Sequence, residues 1–261
     1  MPACMGELLF LGIGLHDDTD LPLKNLEAAR TCDALFLDTY TSVLPGLDLG
    51  RLSAAVGREV RPVGRAEVEE ATLLLDAADS GRAGLFVPGD PMTATTHIDL
   101  RLRAHARGIA TKVYPGASIL TAAAGLLGLQ AYKFGPVVSV PRPQPSYRPS
   151  SPYEKLAENR KRAQHSLLLL DTGDGARPLT AGEALTYLLS LEGELRGSAC
   201  TPATLVCVVA RAGSPAPVTA AGPVATLLDR DFGPPPHVLI FPGELHFAEV
   251  EALRAFAGYR G

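Results

Sequence analysis

Apolar and polar positions along the first half of the chain fall into alternating strand-like and helix-like blocks. The run ELLFLGIG (residues 7–14) is apolar almost throughout, the pattern of a buried strand, and a loop rich in aspartate follows it. LKNLEAARTC then places Leu23, Leu26, Ala29 and Cys32 at helical spacing, with Thr19 or Asp20 and Pro22 as start signals. ALFLDTY (34–40) predicts a second strand, 49–56 a helix, 59–63 a strand and 66–78 a helix. AGLFVPGD (83–90) closes another strand, 95–107 predicts a helix, and IATKVY (109–114) a last strand. Strand–helix–strand units of this length predict a mostly parallel sheet covered on both faces.

Pro115-Gly116-Ala117-Ser118 reads as a hinge, dividing the chain into an N-terminal α/β domain (1–114) and a C-terminal α/β domain (115–261). An alanine- and leucine-rich helix is expected at 119–127, then the strand GPVVSVP and the Pro/Ser-dense loop RPQPSYRPSS. Ser151-Pro152-Tyr153-Glu154 carries the signals of a helix start: a capping serine, a first-turn proline and a glutamate that reaches back. Thr180 and Glu183 repeat the capping-box spacing. SLLLLD, TLVCVVAR, APVTAA and HVLIF predict strands, and 224–228 and 247–257 helices, so the second half is α/β with a mixed sheet.

With 261 residues, 46% apolar and 20% charged, the chain has enough for two ordinary domains with cores. A net charge of −4 disfavours a protein that grips nucleic acid through a basic face. MPACMGELLFLGIG lacks a basic flank and its apolar run is broken by glycines, so neither a signal peptide nor a membrane span is expected, and the cytoplasm is the expected compartment. Cys4, Cys32, Cys200 and Cys207 form no C-x-x-C pair and read as buried thiols, with no metal. Arginine outnumbers lysine and proline is plentiful, a bias that suits a heat-adapted or a GC-rich source.

Chemistry can gather in a few places. Gly12-Ile13-Gly14 at the end of the first strand permits close approach of a ligand, or is a tight turn. A dinucleotide fingerprint needs a third glycine where Asp17 stands, which counts against a dehydrogenase. Val87-Pro88-Gly89-Asp90-Pro91-Met92-Thr93 follows a buried strand at the edge where open α/β sheets bind ligands. There Asp90 can accept from an amine or a ribose, and the threonines can cap the next helix; a rigid turn explains the residues equally well. His97 reads as a helix-start residue pairing with backbone rather than as a metal ligand. Gly116-Ala117-Ser118-Ile119 opens a helix whose free amides can meet a carboxylate or ribose oxygen, or Ser118 is a plain N-cap. Ala210-Arg211-Ala212-Gly213-Ser214 and Pro234-Pro235-Pro236-His237 can line a cleft or are ordinary strand ends. No Ser-His-Asp arrangement, metal cluster or spaced carboxylate pair stands out, which favours a reaction driven by bringing reactants together.

In collinear order, FLGIGLHDDTDLPLKNLEAARTCDALFLDTYTS, VPGDPMTATTHIDLRLRA, GASI, AYKFGPVVSVP, SPYEKLAENRKRAQHSLLLLD, TLVCVVARAGS and FGPPPHVLIFPGELHFAE resemble the diphthine-synthase branch of the tetrapyrrole-methylase-like methyltransferases, in its compact archaeal form. The Pro/Ser loop and residues 173–177 match that pattern only loosely. The resemblance implies two α/β domains with the cofactor, S-adenosylmethionine, in a cleft between them, usually as a homodimer, and no metal. Carried over, Leu15, Asp90, Thr93, Ser118 and Ile119 from the first domain and Leu170, Ala212 and His237 from the second would line the cofactor, whose product is S-adenosylhomocysteine. The implied acceptor is the amino group of a 3-amino-3-carboxypropyl chain on a histidine of translation elongation factor 2, methylated three times to diphthine. No catalytic base is implied. Two other expectations stay open: a sister enzyme acting on a corrin precursor or ribosomal RNA, and a non-catalytic module that binds an adenosine ligand.

Overall fold

A computed structural model describes residues 6–173 and 177–261. The chain divides into two compact units, Met1–Ile119 and Leu120–Gly261.

The first unit runs β1 (Glu7–Gly14), α1 (Leu23–Arg30), β2 (Ala34–Asp38), α2 (Leu49–Val56), β3 (Val60–Val63), α3 (Arg65–Glu70), α4 (Thr72–Ser80), β4 (Arg82–Pro88), α5 (His97–Ala106) and β5 (Ala110–Tyr114). Its strands form one sheet in the order β3-β2-β4-β1-β5, every neighbouring pair parallel. Successive side chains of a strand point to opposite faces. Leu9, Leu11 and Ile13 of β1 accordingly pack with Ala29 of α1 and with Leu52 and Val56 of α2. Leu8 and Phe10 join Val68 of α3, Leu74 and Ala78 of α4, and Leu100 and Ala104 of α5 on the other face. Both faces are covered, so β1 reads as a continuous apolar run.

The first unit departs from its sequence pattern at two points. The helix expected at 66–78 is two helices, broken at Ala71 (φ 62°). Val68, Ala71, Leu74, Leu75 and Ala78 keep one apolar spacing through the break, which hides it from the periodicity. The guanidinium of Arg103 donates to the carbonyls of Glu69 (2.6 Å) and Glu70, which end α3. In α1, Leu23 lies outward (77% exposed) although its spacing predicts the inner stripe, and Asn25 is buried (3%).

The second unit runs α6 (Ile119–Leu127), which opens on the last residue of the first, then β6 (Val138–Val140), α7 (Ser151–Lys161), β7 (Ser166–Leu170), α8 (Ala181–Leu195), β8 (Leu205–Ala210), β9 (Val218–Pro223), α9 (Val224–Leu227), β10 (His237–Phe241) and α10 (Phe247–Ala257). The sheet order is β6-β7-β10-β8-β9, with β6 parallel to β7 and the other pairs antiparallel, a mixed sheet. Leu185 and Leu188 of α8 and Leu156 of α7 pack with Leu168, Val208 and Leu239 of the sheet. The capping box of α8 forms as its spacing predicts. The Thr180 hydroxyl accepts from the Glu183 N–H (3.3 Å), and the Glu183 carboxylate accepts from the Thr180 N–H (2.9 Å). The start of α7 is shifted. Ser150, not Ser151, precedes the helix, and its hydroxyl, not the backbone, donates to Glu154 (2.7 Å).

Cys32, Cys200 and Cys207 are free and buried, and burial pushes the Cys32 and Cys200 thiols up to about 12. Cys4 lies outside the described residues.

Candidate active site

Right at the carboxyl edge of the first sheet, neighbouring strands send their loops to opposite faces. The connection after β1 leaves through α1 toward β2, and that after β4 leaves through α5 toward β5. Such a switch point opens a crevice between the two strand ends, the place where open α/β sheets take up ligands. β1 and β4 are joined there by a hydrogen bond from the Gly89 N–H to the Gly14 carbonyl (2.6 Å). Gly12 and Gly116 cross so closely that a Cβ on Gly116 would lie 2.3 Å from the Gly89 oxygen, and one on Gly12 2.4 Å from the Gly116 nitrogen. Glycine is required by this close approach of three backbones. Above Gly89 (φ 74°) the nearest atom to a Cβ would be the Ala117 oxygen, 3.8 Å away, so that backbone remains open to approach.

Four of the predicted residues stand on these loops. Leu15 follows β1, and its N–H and that of His16 donate to Asp20 Oδ2 (3.0 and 2.8 Å), which fixes the turn. Asp90 Oδ1 accepts from the Met92 N–H and the Thr93 hydroxyl (both 3.0 Å), so the loop is held from within while Oδ2 accepts from no described residue. Thr93 therefore braces Asp90 instead of capping α5. Thr95 donates to the Pro91 carbonyl (2.8 Å) and Thr96 pairs with the Tyr40 hydroxyl (2.8 Å), so none of the three hydroxyls caps the helix. Ser118, half-buried, comes two residues after Gly116 and immediately precedes Ile119.

Sequence reasoning missed several residues that support these loops. Asn25 Nδ2 donates to the carbonyls of Gly12 (2.8 Å) and Pro115 (3.0 Å). His97 does pair with backbone, Nδ1 donating to the Pro91 carbonyl (3.0 Å). It also brings Nε2 to within 3.1 Å of Asp38 Oδ2, with both side chains fully buried. Asp38 in turn accepts from the N–H groups of Tyr40 (2.8 Å) and Thr41 (3.1 Å). A carboxylate and an imidazole in a buried strand–helix pair could be sought from the sequence only as polar residues inside apolar runs.

In the second unit, Leu170, Ala212 and His237 gather at one sheet edge. β10 is antiparallel to β7 and β8, so its first residue lies beside their carboxyl ends: His237 pairs with Ala210, and Val238 with Leu169. His237 Nδ1 accepts from the Ala181 N–H (3.1 Å), the first residue of α8, so Nε2 donates to the Gly233 carbonyl (3.1 Å). That arrangement fixes a neutral imidazole. Burial pushes its pKa below the ordinary value, outweighing the Gly233 carbonyl. Arg211 holds the preceding loop, donating from its guanidinium to the carbonyls of Phe232 (2.6 Å) and Pro234 (3.0 Å).

The family model of tetrapyrrole (corrin/porphyrin) methylases matches residues 7–228. A diphthine synthase of Methanothermobacter thermautotrophicus is 42% identical over 96% of this chain and 96% of its own length. One of Methanosphaerula palustris is 46% identical over 96% of this chain and 98% of its own. A crystal structure of diphthine synthase superposes with a TM-score of 0.88 at 35% identity, covering 97% of this chain and 96% of that one. A family match over most of the chain, relatives more than 40% identical over nearly its whole length and a closely superposing solved structure lead to one assignment: the chain belongs to the tetrapyrrole (corrin/porphyrin) methylases, and among them to the diphthine synthases.

Proposed function

We propose that the chain, a methyltransferase by family, takes its methyl group from S-adenosylmethionine and trimethylates the amino group of the 3-amino-3-carboxypropyl chain on a histidine of translation elongation factor 2, giving diphthine. The observation that carries this reading is the junction of the β1 and β4 loops at the switch point, with the backbone of Gly89 open beside Asp90. Leu15, Asp90, Thr93, Ser118, Ile119, Leu170, Ala212 and His237 are the residues proposed to hold the cofactor. When bound, S-adenosylmethionine supplies a methyl group on a sulfonium, with a thioether as leaving group.

Asp90, braced by Met92 and Thr93, keeps Oδ2 for an amine or a ribose hydroxyl. His237, held neutral, adds no positive charge to a site that receives a cation. The chain's main contribution is alignment for in-line attack, which in ideal cases lowers a barrier by roughly 7–11 kcal/mol. The acceptor amine has to arrive unprotonated, and desolvation at the site lowers its pKa. The same reading makes the enzyme a cytoplasmic homodimer acting on a protein. The net charge of −4 weighs against nucleic acid as acceptor, and no described helix is long and apolar enough to cross a membrane.

The test offers labelled S-adenosylmethionine with elongation factor 2 carrying the aminocarboxypropyl group and reads the mass of the modified peptide. Three added methyl groups on that side chain are expected. Label reaching a corrin precursor or ribosomal RNA and not the elongation factor would replace this acceptor, and binding without turnover would make the chain a ligand-binding module.

A further inference from the structure

We propose that Asn25 is a positioning residue for the cofactor, acting through the backbone of the loops that follow β1 and β5; the inference rests on the cofactor reading above. Asn25 lies on α1 and is 3% exposed. A carboxamide buried to that depth is costly unless its N–H groups find acceptors. Its Nδ2 donates to the Gly12 carbonyl at 2.8 Å and the Pro115 carbonyl at 3.0 Å, and lies 3.4 Å from the Tyr114 carbonyl.

These oxygens belong to the ends of two neighbouring parallel strands, β1 and β5. Carbonyl oxygens that converge on one point repel each other, and a donor between them removes the conflict. Gly12 is the residue on which Gly116 packs, and Pro115 immediately precedes Gly116. The amide therefore secures the crossing of Gly12, Gly116 and Gly89 from the α1 side. Leu15 comes three residues after Gly12, and Ser118 three after Pro115. Asn25 bonds to none of the eight proposed cofactor residues, so its effect has to pass through the two loops that carry them.

Side-chain chemistry narrows the choice. Aspartate would add an acceptor to three acceptors, and leucine would fill the volume without donating. Serine keeps one donor on a shorter arm.

The experiment measures S-adenosylhomocysteine affinity by calorimetry, and thermal unfolding, on the full chain and on Asn25→Leu, Asn25→Ser and Asn159→Leu. Asn159 is the comparison: it is 2% exposed and its Nδ2 donates to the Pro136 carbonyl at 3.0 Å, a residue outside the proposed cofactor set. Asn25→Leu is expected to weaken binding on the order of tenfold, with Asn25→Ser between it and the wild type. Asn159→Leu is expected to melt earlier and bind as the wild type does. A folded Asn25→Leu with wild-type affinity overturns the inference. Should Asn25→Leu not fold, wild-type affinity in Asn25→Ser overturns it and intermediate affinity upholds it. A wild-type chain that does not bind S-adenosylhomocysteine sinks the cofactor reading itself, and the inference with it.

Discussion

Adding one methyl group at Gly116 would place a Cβ 2.3 Å from the Gly89 oxygen and 2.9 Å from the Gly12 carbonyl carbon. Both are backbone atoms and neither can rotate aside, so the loops after β1, β4 and β5 must part. Gly116→Ala is expected to lower the melting temperature and weaken S-adenosylhomocysteine binding on the order of tenfold or more. Gly108→Ala separates strain from site. Gly108 has φ 74° and no atom within 4 Å of a Cβ, so this variant should lose about 1–2 kcal/mol of stability and bind normally. Equal affinity in the two variants would remove the glycine crossing from the site. Gly12, Gly14, Gly89 and Asp90 were legible in the sequence because each stands where a buried strand ends, and at that edge of an open sheet position alone carries meaning. Asn25 was not. Helical spacing assigned the inner stripe to Leu23, whereas the inner position goes to the side chain with three carbonyls to meet.

At the scale of elements, local signals were most informative where a helix or strand depends on its own residues. β1, α2, α6, β10 and α10 begin and end where their patterns place them, and the Thr180–Glu183 box starts α8 as written. The α3–α4 break was illegible because the group that takes up the freed carbonyls lies 33 and 34 residues away, in a guanidinium on α5. Arg103 takes two carbonyls that a continuing helix would have paired, while Ala71, fully buried, turns the chain with φ 62°. Arg103→Met keeps most of the stem and removes the donors. It is expected to cost about 1 kcal/mol and to increase hydrogen exchange at the α3 C-terminus. A variant as stable as the wild type, with α3 equally protected, would show that Ala71 breaks the helix without help. The parallel order β3-β2-β4-β1-β5 lay beyond local pattern in the same way: repeated strand–helix units imply a parallel sheet, but only long-range packing selects which strand neighbours β1.

For the whole molecule, a few buried and half-buried carboxylates and imidazoles bias stability against acid. Burial acts to raise the Glu249 carboxyl. Hydrogen bonds from the Gln130 N–H, Lys133, the His246 N–H and His165 outweigh it and hold the group at about 2. Glu183 follows the same rule, burial being outweighed by Thr180, Arg177 and Arg142, again at about 2. His165 and His237 lie below their ordinary 6.5 because burial disfavours the charged ring, and each offers Nδ1 as acceptor to a backbone N–H, from Gly243 and Ala181 respectively. For a carboxylate with a depressed folded pKa, stability is complete above 4.5 and is lost as pH falls toward 2, since the unfolded chain takes the proton first. A histidine with a depressed folded pKa also stabilises less as pH falls, and its loss begins earlier, near 6.5. Both effects have one sign, so nothing offsets the first with the second. The melting temperature is expected to be level between about pH 7 and pH 8, to decline from about pH 6.5 downward as the two imidazoles come under proton pressure, and to fall more steeply below pH 4.5. His165→Gln and His237→Gln together should flatten the upper limb and leave the lower one in place. A wild-type melting temperature that holds constant from pH 7 to pH 5 would mean that these imidazoles do not resist protonation, and the neutral ring that joins α8 to β10 would have to be given up.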